Sequence, residues 1–355
     1  MAKTQLTTYN SPMNRFILSL SAVALASITS SAVAEVVVNR AMLGIFQPIT
    51  EVAENPENPV TDEKVELGRM LYYDTRLSKN RSTSCNSCHA LDSYGDDGLA
   101  VSTGIHEQQG GRSAPTVYNA AIHITQFWDG RAADVEEQAV GPITNPIEMG
   151  MPDPEYVLGV LKSIPGYVDG FAASFPDDKD SMTYENVGKA IGAFERKLMT
   201  PSPFDAFLEG DEAALSDEEK AGLNLFITTG CITCHNGMGV GGHLYQKLGL
   251  VKEWPTEDFG RYEATGIETD KYSFKVPSLR NITETAPYLH DGSVTNLDEI
   301  VSKMAEHQLG RELSDEDVAS IVAYLGSLKG EIDEEFIAEP TLPEDGPETP
   351  KADSK

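Results

Sequence analysis

All four cysteines of the 355-residue chain fall in two copies of one five-residue pattern, Cys85-Asn86-Ser87-Cys88-His89 and Cys231-Ile232-Thr233-Cys234-His235. Two thiols three residues apart can add to the two vinyl groups of one porphyrin, and the adjacent imidazole then reaches the iron from one face. The pattern predicts two covalently attached c-type haems with His89 and His235 as proximal ligands. A structural zinc site is the main alternative, but it does not require a histidine directly after both pairs. A thioredoxin-like redox pair sits in a βαβ setting, which neither motif has. No cysteine is left over for a structural disulfide.

A second iron ligand for each haem has to come from the remaining histidines, His106, His123, His243, His290 and His307, or from a methionine. His106 lies in the glycine-rich loop Gly95 to Gly111, where a flexible segment can swing a side chain onto or off an iron. We read it as a labile ligand. For the second haem, Met304 follows the motif by a distance typical of small cytochromes c, and a thioether raises reduction potential relative to bis-His ligation. On spacing alone Met238, His290 and His307 remain open, and Met304 also reads as an ordinary core methionine.

The elements that position these groups read as mostly α, in two cytochrome c-like haem domains related by duplication. Thr61 caps a helix carrying Leu67, Met70 and Leu71 ahead of the first motif. Ser216 with Glu219 forms a capping box ahead of the second, and Gly68-x-x-Leu71-Tyr72 lines up with Gly222-x-x-Leu225-Phe226. Each half closes on another capped amphipathic helix, Thr183 to Leu198 and Ser314 to Leu325. The expected domains are an N-terminal haem domain at 35–200 and a C-terminal one at 201–330, divided at Thr200-Pro201-Ser202-Pro203. Residues 331–355, with several prolines and nine acidic side chains, read as a disordered acidic tail.

The apolar run Phe16 to Leu25 after Arg15, ending in Ala32-Val33-Ala34, reads as a signal peptide over residues 1–34, cleaved near Ala34, with Met1 or Met13 as the start. It is shorter than the roughly 20 residues a bilayer crossing needs. The chain is therefore expected to be exported, without a membrane span after cleavage. It holds 27 Lys and Arg against 56 Asp and Glu. Such a surface repels nucleic acid and attracts basic protein partners at salt-dependent rates.

The order and spacing of further segments carry a resemblance. They are Ala114-Pro115-Thr116-Val117-Tyr118-Asn119-Ala120, Gln126-Phe127-Trp128-Asp129-Gly130-Arg131, Asn145-Pro146-Ile147-Glu148-Met149-Gly150, Phe274-Lys275-Val276-Pro277-Ser278-Leu279-Arg280-Asn281 and Ala286-Pro287-Tyr288-Leu289-His290-Asp291-Gly292-Ser293. Together with the two haem motifs, from about Val65 to Gly330, the chain resembles the bacterial dihaem cytochrome c peroxidases.

The resemblance implies reduction of hydrogen peroxide to water in the periplasm. It makes the N-terminal haem, with His89 and a displaceable His106, the peroxidatic site, and the C-terminal haem, with His235 and Met304, the site that receives electrons. The donor is a small cytochrome c or cupredoxin, and the expected state is a homodimer. Glu148 is the implied acid/base carboxylate and Gln138 its supporting amide; heterolytic O–O cleavage requires a proton to pass from the inner to the outer oxygen. Trp128 matches a tryptophan placed between the haems, a position that plain aromatic packing would equally explain. One Ca²⁺ is implied between the domains, on backbone carbonyls at Thr285 and Pro287 and on the side chain at Ser113. The family has Asn at that last position, and a hydroxyl is the poorer ligand. Two other readings are a dihaem electron carrier without peroxidase activity and a tryptophan-modifying maturation enzyme, whose branch typically has tyrosine at Met304.

Overall fold

The computed structural model describes residues 1–8, 10 and 36–353, so the apolar run of the expected signal peptide and its cleavage position near Ala34 lie outside the described residues. Eleven α-helices follow among the described residues: α1 (Asp62–Tyr73), α2 (Cys85–Cys88), α3 (Val135–Thr144), α4 (Pro154–Lys162), α5 (Pro165–Ser174), α6 (Tyr184–Glu195), α7 (Pro203–Glu209), α8 (Asp217–Thr229), α9 (Tyr262–Thr265), α10 (Leu297–Leu309) and α11 (Asp315–Gly326). One short antiparallel ribbon joins β1 (Tyr245–Lys247) to β2 (Ser273–Lys275), with Gln246 opposite Phe274.

The four helix starts legible in the sequence are built as capping chemistry requires. Side-chain oxygens of Thr61, Thr183, Ser216 and Ser314 accept from the backbone N–H three residues on, satisfying donors that the helix itself leaves unpaired. At Ser216 the Glu219 carboxylate returns the bond at 2.7 Å.

The duplication is visible in two helix crossings. A Cβ on Gly68 of α1 would stand 1.9 Å from the Ala190 carbonyl oxygen of α6, and one on Gly222 of α8 would stand 1.8 Å from that of Ser320 of α11. Only glycine allows backbones so close. The repeat extends into loops: Asn119 and Asn281 are fully buried, both have φ of 59°, and both donate through Nδ2 to Thr200 Oγ1, at 2.8 and 2.9 Å. The turn Gln126-Phe127-Trp128-Asp129-Gly130 likewise matches Tyr288-Leu289-His290-Asp291-Gly292. Both carry a positive φ at the second residue, and each closes on an antiparallel bridge, Gln126 with Ala132 and Tyr288 with Val294. Trp128 and His290 are thus counterparts in the repeat.

From Val36 onward the helices enclose two main cores. The first runs from Val65 to Leu198, and the second is built on Phe204, Phe207, Leu223, Phe226, Tyr324 and Leu325. Both expected outer boundaries need correction. Val38, Leu43 and Phe46 pack in the second core, Phe46 edge-on to Phe204, and Ile49 N–H donates to Asp205 at 2.9 Å. The segment assigned to the N-terminal domain therefore straps the C-terminal one.

Residues 331–353, expected to be a disordered tail, lie against the first core instead. Ile337 is buried in it, Phe336 packs on Phe194 at 5.3 Å, and the Asp345 carboxylate meets Arg76 at 2.8 Å and Arg81 at 3.0 Å. Burial of Ile332, Phe336 and Ile337 and these ion pairs order a segment whose bulk composition is that of a solvated chain.

Candidate functional site

Each Cys-x-x-Cys-His motif forms one tight turn. His89 N–H donates to the Cys85 carbonyl at 2.9 Å, and His235 N–H to the Cys231 carbonyl at 2.9 Å, so both thiols and the imidazole of each copy are gathered on a single turn. The first turn is α2, begun by a box in which Ser84 N–H donates to Ser87 Oγ at 3.0 Å. All four thiols are free. Burial pushes the Cys88 and Cys231 thiols up to about 11 and raises those of Cys85 and Cys234 as well. Burial also lowers His89 and takes His235 down to about 4. Both rings are therefore neutral, the form that binds a metal. The Nδ1 atom of each is buried, beside the backbone of Gly95 and Pro115 for His89 and of Val240 and Pro277 for His235.

Behind the second motif lies a predominantly apolar cavity lined by Cys231, Cys234, His235 and Met304, with walls from Phe226, Leu279, Ile300, Ile321 and Leu325. Met304, on α10, is the methionine of this wall. Of the other candidates, Met238 and His307 are not among the described residues that line this cavity. His290 does line the cavity, but its ring stacks on Phe274 at 4.3 Å and its Nε2 lies 3.2 Å from Thr256 Oγ1. A flat apolar macrocycle tethered by two thiols fits this chamber, with a soft sulfur and an imidazole on its wall.

The cavity extends to Trp128, where the two halves meet. The indole N–H donates to the Ser113 carbonyl at 2.9 Å, and Ser113 N–H donates to the His290 carbonyl at 2.7 Å. Trp128 and His290 are in edge-to-face contact at 6.4 Å. Ser113, Thr285 and Pro287 line this same cavity.

On the N-terminal side, Glu148 follows α3 in a turn held by Asn145, whose Nδ2 donates to Glu148 Oε1 at 2.9 Å. Burial raises the Glu148 carboxyl above its ordinary value, against the opposing charge of Arg131 and the Asn145 bond. Gln138 is half-buried on α3. The side chain of His106 is exposed, with φ of 54° in a short 3-10 turn, Ile105–Glu107. Its loop is nevertheless fastened to the Glu148 turn. Ile105 N–H donates to the Glu148 carbonyl at 2.8 Å, and a Cβ on Gly104 would stand 2.1 Å from the Ile147 oxygen. The sequence reading singled out His106 and Glu148 separately and missed this coupling. It also missed the Trp128–His290 pairing, although the repeated Asp-Gly after each residue is the signal that reveals it.

Two duplicated helical cores, each with a Cys-x-x-Cys-His turn, define a dihaem c-type cytochrome. Comparison with known proteins narrows the class. Residues 62–213 match the di-haem cytochrome c peroxidase family and 219–329 match cytochrome c. The chain is 43% identical over 314 residues to cytochrome c551 peroxidase of Pseudomonas aeruginosa, covering 86% of this chain and 90% of that one. It is 45% identical over 310 residues to cytochrome c551 peroxidase of Nitrosomonas europaea, with the same coverage. A crystal structure of a MauG-like protein associated with microbial copper homeostasis superposes with a TM-score of 0.72 at 29% identity, covering 83% of this chain and 96% of that one. The chain belongs to the di-haem cytochrome c peroxidase family and is an enzyme of that type.

Proposed function

We propose that the protein reduces hydrogen peroxide to two waters in the periplasm, taking two electrons one at a time from a small cytochrome c or cupredoxin, with two protons consumed. The c-type haems, bound through Cys85 and Cys88 with His89 and through Cys231 and Cys234 with His235, supply the redox chemistry. Met304 completes the electron-receiving site and keeps its potential high. Trp128, seated at the junction of the halves, shortens the path between them.

At the N-terminal site, Glu148 takes the proton from the near oxygen of peroxide and returns it to the departing one. Its raised carboxyl suits a group that both accepts and donates the proton. Asn145 holds the carboxylate in place, and Gln138 supports the bound peroxide. His106 is the gate: turned inward it closes the site, and turned outward it opens it; its side chain stands exposed here. The observation that carries this reading is the Ile105–Glu148 backbone bond, because it fastens the loop of the gate to the turn that bears the carboxylate.

We further infer one Ca²⁺ at the junction, on the Ser113 hydroxyl and the Thr285 and Pro287 carbonyls. The Ser113 carbonyl is already taken by Trp128, so the hydroxyl is what that residue can offer. The excess of acidic over basic side chains favours a donor with a basic face, and the family resemblance supports a homodimer. Turnover with reduced cytochrome c tests the activity. A rate far above that of free haem, falling steeply with added salt, is expected, and a rate no faster than free haem overturns it.

A further inference from the structure

The cavity behind Cys231, Cys234 and His235 has to accept a macrocycle that bears two carboxylates, yet among the described residues lining it Lys275 is the sole lysine or arginine. Lys275 stands on β2 and is 6% exposed. Its Nζ donates to the Thr125 carbonyl at 2.9 Å and lies 3.4 Å from His123 Nδ1. No carboxylate among the described residues lies within ion-pair distance. The Asp129 charge favours the ammonium from beyond ion-pair distance, and that carboxylate is itself bound by Arg112 at 2.6 Å and Arg131 at 2.9 Å.

A buried ammonium with one carbonyl and one imidazole for company is costly unless a counter-charge arrives. Burial pushes Lys275 down to about 7, which records that cost. His123 is the second half of the arrangement. With Nδ1 accepting from Lys275, its Nε2 carries the proton, and that atom is buried without a partner. The ring is pinned in place, since a Cβ on Gly242 would stand 2.3 Å from His123 Cδ2.

We propose that Lys275, oriented by His123, binds a propionate carboxylate of the haem attached to Cys231 and Cys234. This rests on the reading that a haem occupies the cavity, and counting covalent haems by mass separates the two: fewer than two per chain sinks that reading before this one is reached. Lys275 is then a positioning residue whose positive charge favours the reduced haem.

The test uses the full protein with both haems attached, comparing K275Q, K275R and H123N by resonance Raman spectroscopy of the propionate bending mode and by redox titration. K275Q is expected to shift the propionate mode of the high-potential haem and to lower its reduction equilibrium constant about tenfold, ~59 mV for one electron. K275R is expected to keep both near wild type. An unchanged mode and potential in K275Q overturns the assignment. If K275Q does not mature, H123N decides: it leaves the lysine but releases its orientation, so a shifted mode supports the proposal and an unchanged mode overturns it.

Discussion

Burial, Asn145 and the loop of His106 together set the surroundings of Glu148, the proposed proton carrier. Burial lifts its carboxyl, Asn145 fixes one oxygen, and its backbone carbonyl carries the His106 loop. Replacing it with glutamine keeps the shape and removes the proton carrier. E148Q should therefore lower kcat/KM for peroxide by about 10²–10⁴ with the haem spectrum unchanged. The wild-type rate should fall as pH drops through the raised value of Glu148, because the base form is then lost, and E148Q should lack that limb. The residue itself was singled out only through the family resemblance. Its coupling to His106 was not legible, because that bond is made by backbone atoms and depends on how two loops 40-odd residues apart dock (about the separation of Ile105 and Glu148).

Helices were the most legible level. Caps at Thr61, Thr183, Ser216 and Ser314 follow from local hydrogen-bond chemistry, and the aligned Gly68 and Gly222 mark where paired helices touch. What escaped were contacts between elements of unlike sequence, such as Asp205 at the start of α7 with Arg280, at 2.7 and 2.8 Å in a fully buried fork. Burial works to raise the Asp205 carboxyl, and the Arg280 fork outweighs it, so the carboxyl sits below its ordinary value. A depressed carboxyl contributes stability above its unfolded-state pKa, and that contribution is lost as pH falls through the folded-state value. R280M leaves Asp205 buried without its cation and should cost about 3–5 kcal/mol in a denaturant titration at pH 7. The gap to wild type should narrow as pH falls, first as the unpaired Asp205 of the variant, raised by burial, takes up its proton, and further below about pH 4, where the unfolded-state carboxyl protonates.

At the scale of the whole molecule the ends of the chain cross over. Val38 to Ile49 holds the second core, and Ile332 to Asp353 holds the first. Composition hid this, since nine acids and several prolines describe a solvated tail, while the decisive feature is a few apolar side chains and two arginines awaiting Asp345. I337A should cost about 2–4 kcal/mol in thermal or denaturant unfolding, as for other buried aliphatic truncations; an effect below about 0.5 kcal/mol, the range of ordinary surface changes, would show the strap to be loosely held. The division of labour between the halves is tested most directly by electron paramagnetic resonance and visible spectra of the protein, fully oxidised and then reduced by one electron. The account predicts that a His–Met haem takes the electron while the His89 haem becomes, or already is, high-spin and open to cyanide and peroxide. Two haems that stay six-coordinate and refuse both ligands in every state would contradict it, leaving an electron carrier in which His106 is no gate and Glu148 has no proton to move.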